Sequence, residues 1–144
     1  MTFEVGSILL VKDYPLPTKV KDKFFIVIGY SDAEICLLSM TTSQIYFDTS
    51  LIKHGLIVDR DMSLYCFEQG KVIGKNGFAF HKHTFISHRN NIHEFSLQKI
   101  NFLNVEHKDC LTKQELTDLI YSIYKKSPPK YKDVFEKILD EIAE

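Results

Sequence analysis

The sequence has no apolar run approaching the ~20 residues that a membrane-spanning helix needs, and its first residues carry no signal-peptide pattern. It has only three cysteines, Cys36, Cys66 and Cys110. An odd number without paired spacing fits reduced thiols, which act as small buried hydrophobes. A cytoplasmic protein with no membrane partner is therefore expected. The run Glu68-Gln69-Gly70-Lys71-Val72-Ile73-Gly74-Lys75 lacks the glycine and lysine spacing of a nucleotide phosphate loop. There is no Gly-x-Ser-x-Gly elbow, no cysteine in a convincing His/Asn context, no internal repeat and no low-complexity tract. Net charge is nearly absent too, at −1, which argues against a uniformly basic nucleic-acid binder.

What is present is enough to build a core. A chain of 144 residues with 44% apolar content has the size of one domain and is not disordered. Its charge is unevenly placed. Residues 1–70 carry six Lys/Arg and nine Asp/Glu, residues 71–108 carry six and two, and residues 109–144 carry six and eight. The basic middle also holds five of the six histidines. Such a segment between acidic flanks can form a local anion site on a near-neutral protein.

Residues 1–108 read as β, rich in Phe, Tyr, Val and Ile and interrupted at short intervals by turn residues. Strands are predicted at Ser7–Val11, Phe24–Ile28, Ile35–Met40, Leu64–Phe67, Val72–Ile73, Phe78–Phe80 and Thr84–Ser87. Turns are predicted at Ser31-Asp32 and at Asn76-Gly77, a hairpin signal. Ile100–Val105 suits a strand or a linker. Many short strands of this kind suggest a small barrel. Residues 109–144 change character. Thr112 and Glu115 form a capping box, and Leu116, Leu119, Ile120, Ile123 and Tyr124 share one helical face. Ser127 and Pro128 open a second helix, with Tyr131, Val134, Phe135, Ile138, Leu139 and Ile142 as its apolar stripe. The fold class expected is mainly β with C-terminal α, in a single domain over 1–144.

The stretch Val5–Gln44 carries the functional signal. A strand is followed by a loop with Pro15 and Pro17, then by Lys19, Lys21 and Lys23 leading a hydrophobic strand. A third strand ends in Thr41-Thr42-Ser43-Gln44. A cationic loop and a hydroxyl-rich strand end, fixed on one small sheet, can hold a phosphodiester. In order and chemistry this stretch resembles the MazF/PemK toxin family. The family's Gly-x-Ile-x-x-Val opening corresponds to Gly6-Ser7-Ile8-Leu9-Leu10-Val11. Its basic residue before a hydrophobic strand corresponds to Lys23, and its Thr-Thr or Thr-x-Gln strand end to Thr41–Gln44. The resemblance implies a small SH3-like antiparallel β-barrel followed by helix and a metal-independent endoribonuclease cutting single-stranded RNA. It also implies a homodimer and a cognate antitoxin protein. The family ends with one helix where this chain has two. It carries Gly-x-Arg-Pro where this chain has Lys21-Asp22-Lys23-Phe24, and lysine lacks the planar fork that grips a phosphate with two bonds.

The candidate catalytic residues are Lys23, Thr42, His81 and His83. Lys23 would stabilise the phosphorane, Thr42 would bind the scissile phosphate, and the histidines would move protons near neutral pH. Lys19, Lys21, Thr41, Ser43, Gln44 and Lys82 are candidate RNA contacts. On a strand His81 and His83 would share a face, with Lys82 opposite. Two imidazoles on one face can also share a zinc ion, but no carboxylate or thiolate is spaced to complete that site. No metal and no cofactor are expected. Phe78, Phe80 and Phe85 suit the core better than base stacking. The alternative function is a non-catalytic SH3-like module that binds nucleic acid or protein. A third is a structural protein whose helices bind a partner.

Overall fold

A computed structural model describes residues 3–44, 48–89 and 92–143. Its framework begins with a long hairpin. Strand β1, Ser7–Pro15, pairs antiparallel with β2, Val20–Asp32, and Leu16 N–H donates to Lys19 C=O across the turn at 2.8 Å. The predicted Pro-broken loop is thus mostly strand. Pro15 takes the last paired position and Pro17 the turn, where a missing N–H costs no ladder bond. The register slips between Val11 and Tyr14, where Asp13 has φ 53° and donates its N–H to the Asp22 carboxylate at 2.9 Å.

Strand β3, Ile35–Met40, returns along β2. The turn falls at Ala33-Glu34, two residues beyond the predicted position, because the Asp32 carboxylate accepts the N–H groups of Glu34 and Ile35 at 2.7 and 3.1 Å. A second sheet contains β4, Gly55–Asp59, β5, Met62–Phe67, and β6, Thr84–Ser87. Then β7, Ile92–Ser96, pairs with β3, and β8, Asn104–Cys110, pairs with β1. The first sheet is therefore β7-β3-β2-β1-β8 and the second β4-β5-β6, both antiparallel. Among the described residues no closed barrel forms. The two sheets meet at one bridge, Thr42 with Phe85, whose N–H groups donate to each other's carbonyls at 2.9 and 2.7 Å.

Alternation along β1 and β2 feeds two cores. Ile8, Ile26 and Ile28 face the second sheet and the C-terminal helices, while Leu9, Val11, Phe25 and Val27 pack with Phe95 and Ile100 on the opposite face. The region 100–105 divides between a short helix α1, Leu97–Asn101, and the start of β8. Helix α2, Lys113–Lys126, and helix α3, Pro129–Ala143, cover the first of these cores. The apolar stripes predicted for both helices are the ones that pack. A Cβ at Gly29 of β2 would lie 2.8 Å from Val134, so glycine there lets α3 lie directly on the sheet.

The predicted caps are half right. Thr112 accepts the N–H of Glu115 at 3.2 Å, but the Glu115 carboxylate does not reach back. It is buried and takes hydrogen bonds from Tyr65 and from His54, at 2.8 and 2.9 Å from the latter, tying α2 to the second sheet. Ser127 caps the end of α2, donating to Tyr124 C=O at 3.0 Å, and α3 opens at Pro129.

Val72–Ile73 and Phe78–Phe80 are not strands. They flank a tight loop whose backbone is satisfied from elsewhere. The buried Asp109 carboxylate accepts the N–H groups of Phe78 at 3.0 Å, Asn76 at 3.0 Å and Cys110 at 2.7 Å. Gly74 allows this approach, since a Cβ there would sit 2.0 Å from an Asp109 oxygen. Burial pushes the Asp109 carboxyl up, but these donors outweigh it and hold it below the ordinary carboxylate range. Replacing Asp109 with alanine leaves several buried N–H groups unpaired and should cost about 3 kcal/mol or more. Asp109→Asn, which keeps an acceptor, should cost about half of that. Urea denaturation checks both, and a loss for Asp109→Ala below about 1 kcal/mol would remove the anchoring role.

Candidate functional site

Strand β2 outruns β3. Beyond Phe25, which pairs with Met40, the chain of β3 continues as Thr41 and crosses to the second sheet, so Val20–Lys23 pair with β1 alone. The space beside this free edge is a cavity of about 510 Å³. One wall is Lys21–Phe24, a second is Thr41-Thr42-Ser43, and a third is the segment Phe78–Lys82 held by Asp109. Leu10, Thr84 and Lys108 complete it.

Seven of the ten candidate residues line this one cavity: Lys21, Lys23, Thr41, Thr42, Ser43, His81 and Lys82. The other three do not. Lys19 lies in the β1–β2 turn. Gln44 turns back, its backbone N–H donating to Thr42 Oγ1 at 3.1 Å. His83 accepts the backbone N–H of Gln69 on Nδ1 at 3.0 Å. The shared face predicted for His81 and His83 is lost because residues 81–83 are not extended strand, so spacing by two no longer aligns side chains.

Electrostatically the cavity is cationic. Lys21, Lys23, Lys82 and Lys108 line it against one carboxylate, Asp22, which also lies 3.8 Å from Lys12. Burial, and then the charges of Lys21 and Lys19, push the Lys23 ammonium below its usual range. The hydroxyls are not equivalent. Thr41 is buried and donates to Phe24 C=O at 3.0 Å, so it holds the strand end in place. Thr42 Oγ1 accepts the Gln44 N–H at 3.1 Å and makes a long donation to Gln44 C=O at 3.5 Å, and Ser43 is exposed.

The floor was not read as part of the site. Phe24, Phe78 and Phe80 meet edge to face, with centroids 5.8, 5.1 and 5.0 Å apart, and all three line the cavity. Phe80 is buried and Phe78 half-buried, as a core role predicts, and both also line the cavity. Lys108 was also missed; its only signal was membership of the basic middle segment. Phe85 is core.

The remaining chemistry lies elsewhere. Burial pushes the Cys36 and Cys66 thiols up to about 11, which keeps them protonated. Among the described residues no three His, Cys, Asp or Glu side chains gather as a metal-ligand set, and no helix is long and apolar enough to cross a membrane. Comparison with protein-family models and with curated proteins found no match. The likeness to MazF/PemK toxins rests on the residues of this chain.

His88 is held between two serines, with Nδ1 2.7 Å from Ser63 Oγ and Nε2 3.1 Å from Ser122 Oγ. Burial, then the charge of Lys126, lowers its pKa to about 4. Burial lowers that of His93 as well. The unfolded chain therefore binds protons that the folded chain refuses between pH 6.5 and about 4. Stability from His88 is complete above pH 6.5 and is lost as pH falls toward 4. Urea denaturation at pH 7 and pH 5 should show a clear loss for the natural chain and a smaller one for His88→Gln. Equal losses would contradict the assignment.

Proposed function

We propose that the cavity beside β2 binds single-stranded RNA and cleaves it without a metal, as a MazF/PemK-like endoribonuclease on an SH3-like fold would. One observation carries this reading: residues separated by 60 positions, from Lys21–Lys23, Thr41–Ser43 and His81-Lys82, converge on one cationic cavity with an aromatic floor. A cationic rim tracks phosphates, and aromatic side chains suit an unpaired base. A cavity of this size suits one nucleotide.

Cleavage through the 2′-OH needs a base for that hydroxyl, a proton for the leaving 5′-oxygen and donors for the non-bridging oxygens. His81 would take the first proton. Lys23, whose lowered pKa makes its ammonium a better acid than an ordinary lysine, would protonate the leaving oxygen or stabilise the phosphorane. Thr42 and Ser43 would hold the phosphate. On this reading the chain works as a homodimer in the cytoplasm, and an acidic antitoxin segment covers the cleft.

A second reading has a specific observation behind it. His83 accepts from Gln69 N–H and does not line the cavity, leaving His81 as its one imidazole among the described residues. A non-catalytic module binding RNA in the same cleft needs no second proton carrier.

A cleavage assay on mixed-sequence RNA with EDTA present separates the two. The nuclease reading expects fragments from the natural chain and a loss of about two orders of magnitude or more for Lys23→Ala. It expects a loss equivalent to about 1.5–3 kcal/mol for Thr42→Ala, one hydrogen bond to a charged oxygen. His81→Ala should fall sharply while His83→Ala stays near the natural level. Binding without fragments selects the module. Undiminished cleavage by Lys23→Ala rejects this site.

A further inference from the structure

Helix α3 is the element that neither the resemblance nor the cleft explains. Where it leaves α2 it closes a second cavity of about 500 Å³, bounded by the end of β6, the start of β7 and the α2–α3 junction. Its polar lining is His88, Arg89, Lys126 and Lys130, and among the described residues no carboxylate lines it. The apolar part is Ile92, Pro128 and Tyr131. We propose that this cavity is a second anion site, one that takes the phosphate of a nucleotide-sized ligand.

Of the three cations lining the cavity, Lys130 is balanced internally and the other two are not. Glu94 is already committed, 2.8 Å from Lys130 and accepting the Tyr131 hydroxyl. Among the described residues Arg89 and Lys126 have no carboxylate within ion-pair distance, so they face the cavity's solvent as unmatched cations. His88 adds no charge of its own. Ser122 donates to Leu119 C=O at 2.7 Å, so it must accept from Nε2–H, and Ser63 then donates to Nδ1. The positive field is felt even at this neutral ring, since Lys126 helps to disfavour its protonation.

Division of labour follows from side-chain chemistry. The Arg89 guanidinium can hold two phosphate oxygens in its planar fork, and Lys126 acts as a point charge beside it, while Lys130 stays paired with Glu94. The volume exceeds the needs of inorganic phosphate, and Ile92 and Pro128 offer an apolar wall to the remainder of the ligand. The wall is stiff: Tyr131 is buried and its N–H donates to Pro128 C=O at 3.1 Å. The phosphate could come from a free nucleotide or from a polynucleotide backbone. The site is separate from the cleft beside β2, with no lining residue in common, and does not depend on the cleft's function.

The test is an NMR titration of the full chain with adenosine monophosphate, adenosine, inorganic phosphate and a short single-stranded DNA. Adenosine monophosphate should shift the amides of Arg89, Ile92, Lys126 and Tyr131, adenosine should not, and inorganic phosphate should compete. Bound anion should also raise the titration midpoint of the His88 ring, because it offsets Lys126. The double variant Arg89→Gln, Lys126→Gln, altered only at exposed side chains, should weaken binding about tenfold or more, whereas Lys23→Ala should leave it unchanged. If the DNA binds with the same loss in the double variant, the phosphate source is a polynucleotide; if only the mononucleotide binds, it is a free nucleotide. Equal binding of adenosine and its monophosphate, no binding by either, or an unaffected double variant would overturn the proposal.

Discussion

The Asp109 carboxylate is the contact on which the candidate site depends. It lies on β8 immediately before the chain turns into α2, and its donors come from a loop more than 30 positions earlier, at Asn76 and Phe78. A loop buried at its base needs partners for its N–H groups. Lys75 N–H finds one at Cys110 C=O of β8, and Ile73 and Gly74 donate to Phe78 C=O within the loop. The Asp109 carboxylate takes those of Asn76 and Phe78. The cost of burying that charge is offset by the number of donors, which a carboxylate accepts more strongly than a neutral amide of the same reach. Because the anchored loop carries Phe78, Phe80, His81 and Lys82, the same contact sets the third wall of the cavity.

The cavity itself arises from unequal strand lengths. β3 stops at Met40 while β2 runs on toward Val20, and the chain after β3 leaves for the second sheet through the Thr42–Phe85 bridge. A free strand edge is usually an aggregation hazard, and here it is lined with lysines and half enclosed by a loop. Charge that protects the edge is also charge that can meet a phosphate. Thr41 shows the same economy: its hydroxyl is spent on Phe24 C=O, which fixes the strand end from which Thr42 and Ser43 project.

Patterns with a local cause were legible in the sequence. The 3.6-residue stripes gave both helices, alternation gave β1, β2 and β3, and Lys21, Lys23, Thr41, Thr42 and Ser43 fell on one cavity because the pairing of β2 with β3 ends between them, at Phe25 and Met40. Features with a distant cause were not legible. A lone Asp109 before a helix resembles any surface acid until its loop partners are known. Ser127-Pro128-Pro129 suits the end of one helix as well as the start of the next, and the choice is made by Tyr124 C=O. His81 and His83 were paired by a strand that does not form, since Gln69 draws His83 away. The strands β4 and β7 each bury one side chain, Ile57 and Phe95, so no apolar alternation marks them. Among the described residues the strands form two antiparallel sheets that meet at the Thr42–Phe85 bridge, with no closed barrel, and the chain between β5 and β6 carries the loop held by Asp109.

The central claim is that the cavity beside β2 is where RNA binds, and the most direct measurement is an amide chemical-shift map of the protein titrated with a short single-stranded RNA in EDTA. Shifts concentrated at Lys21–Phe24, Thr41–Ser43 and Phe78–Lys82, diminishing as salt rises, are the result expected. Shifts confined to other surfaces, or none at concentrations where a cationic cleft should fill, would contradict it.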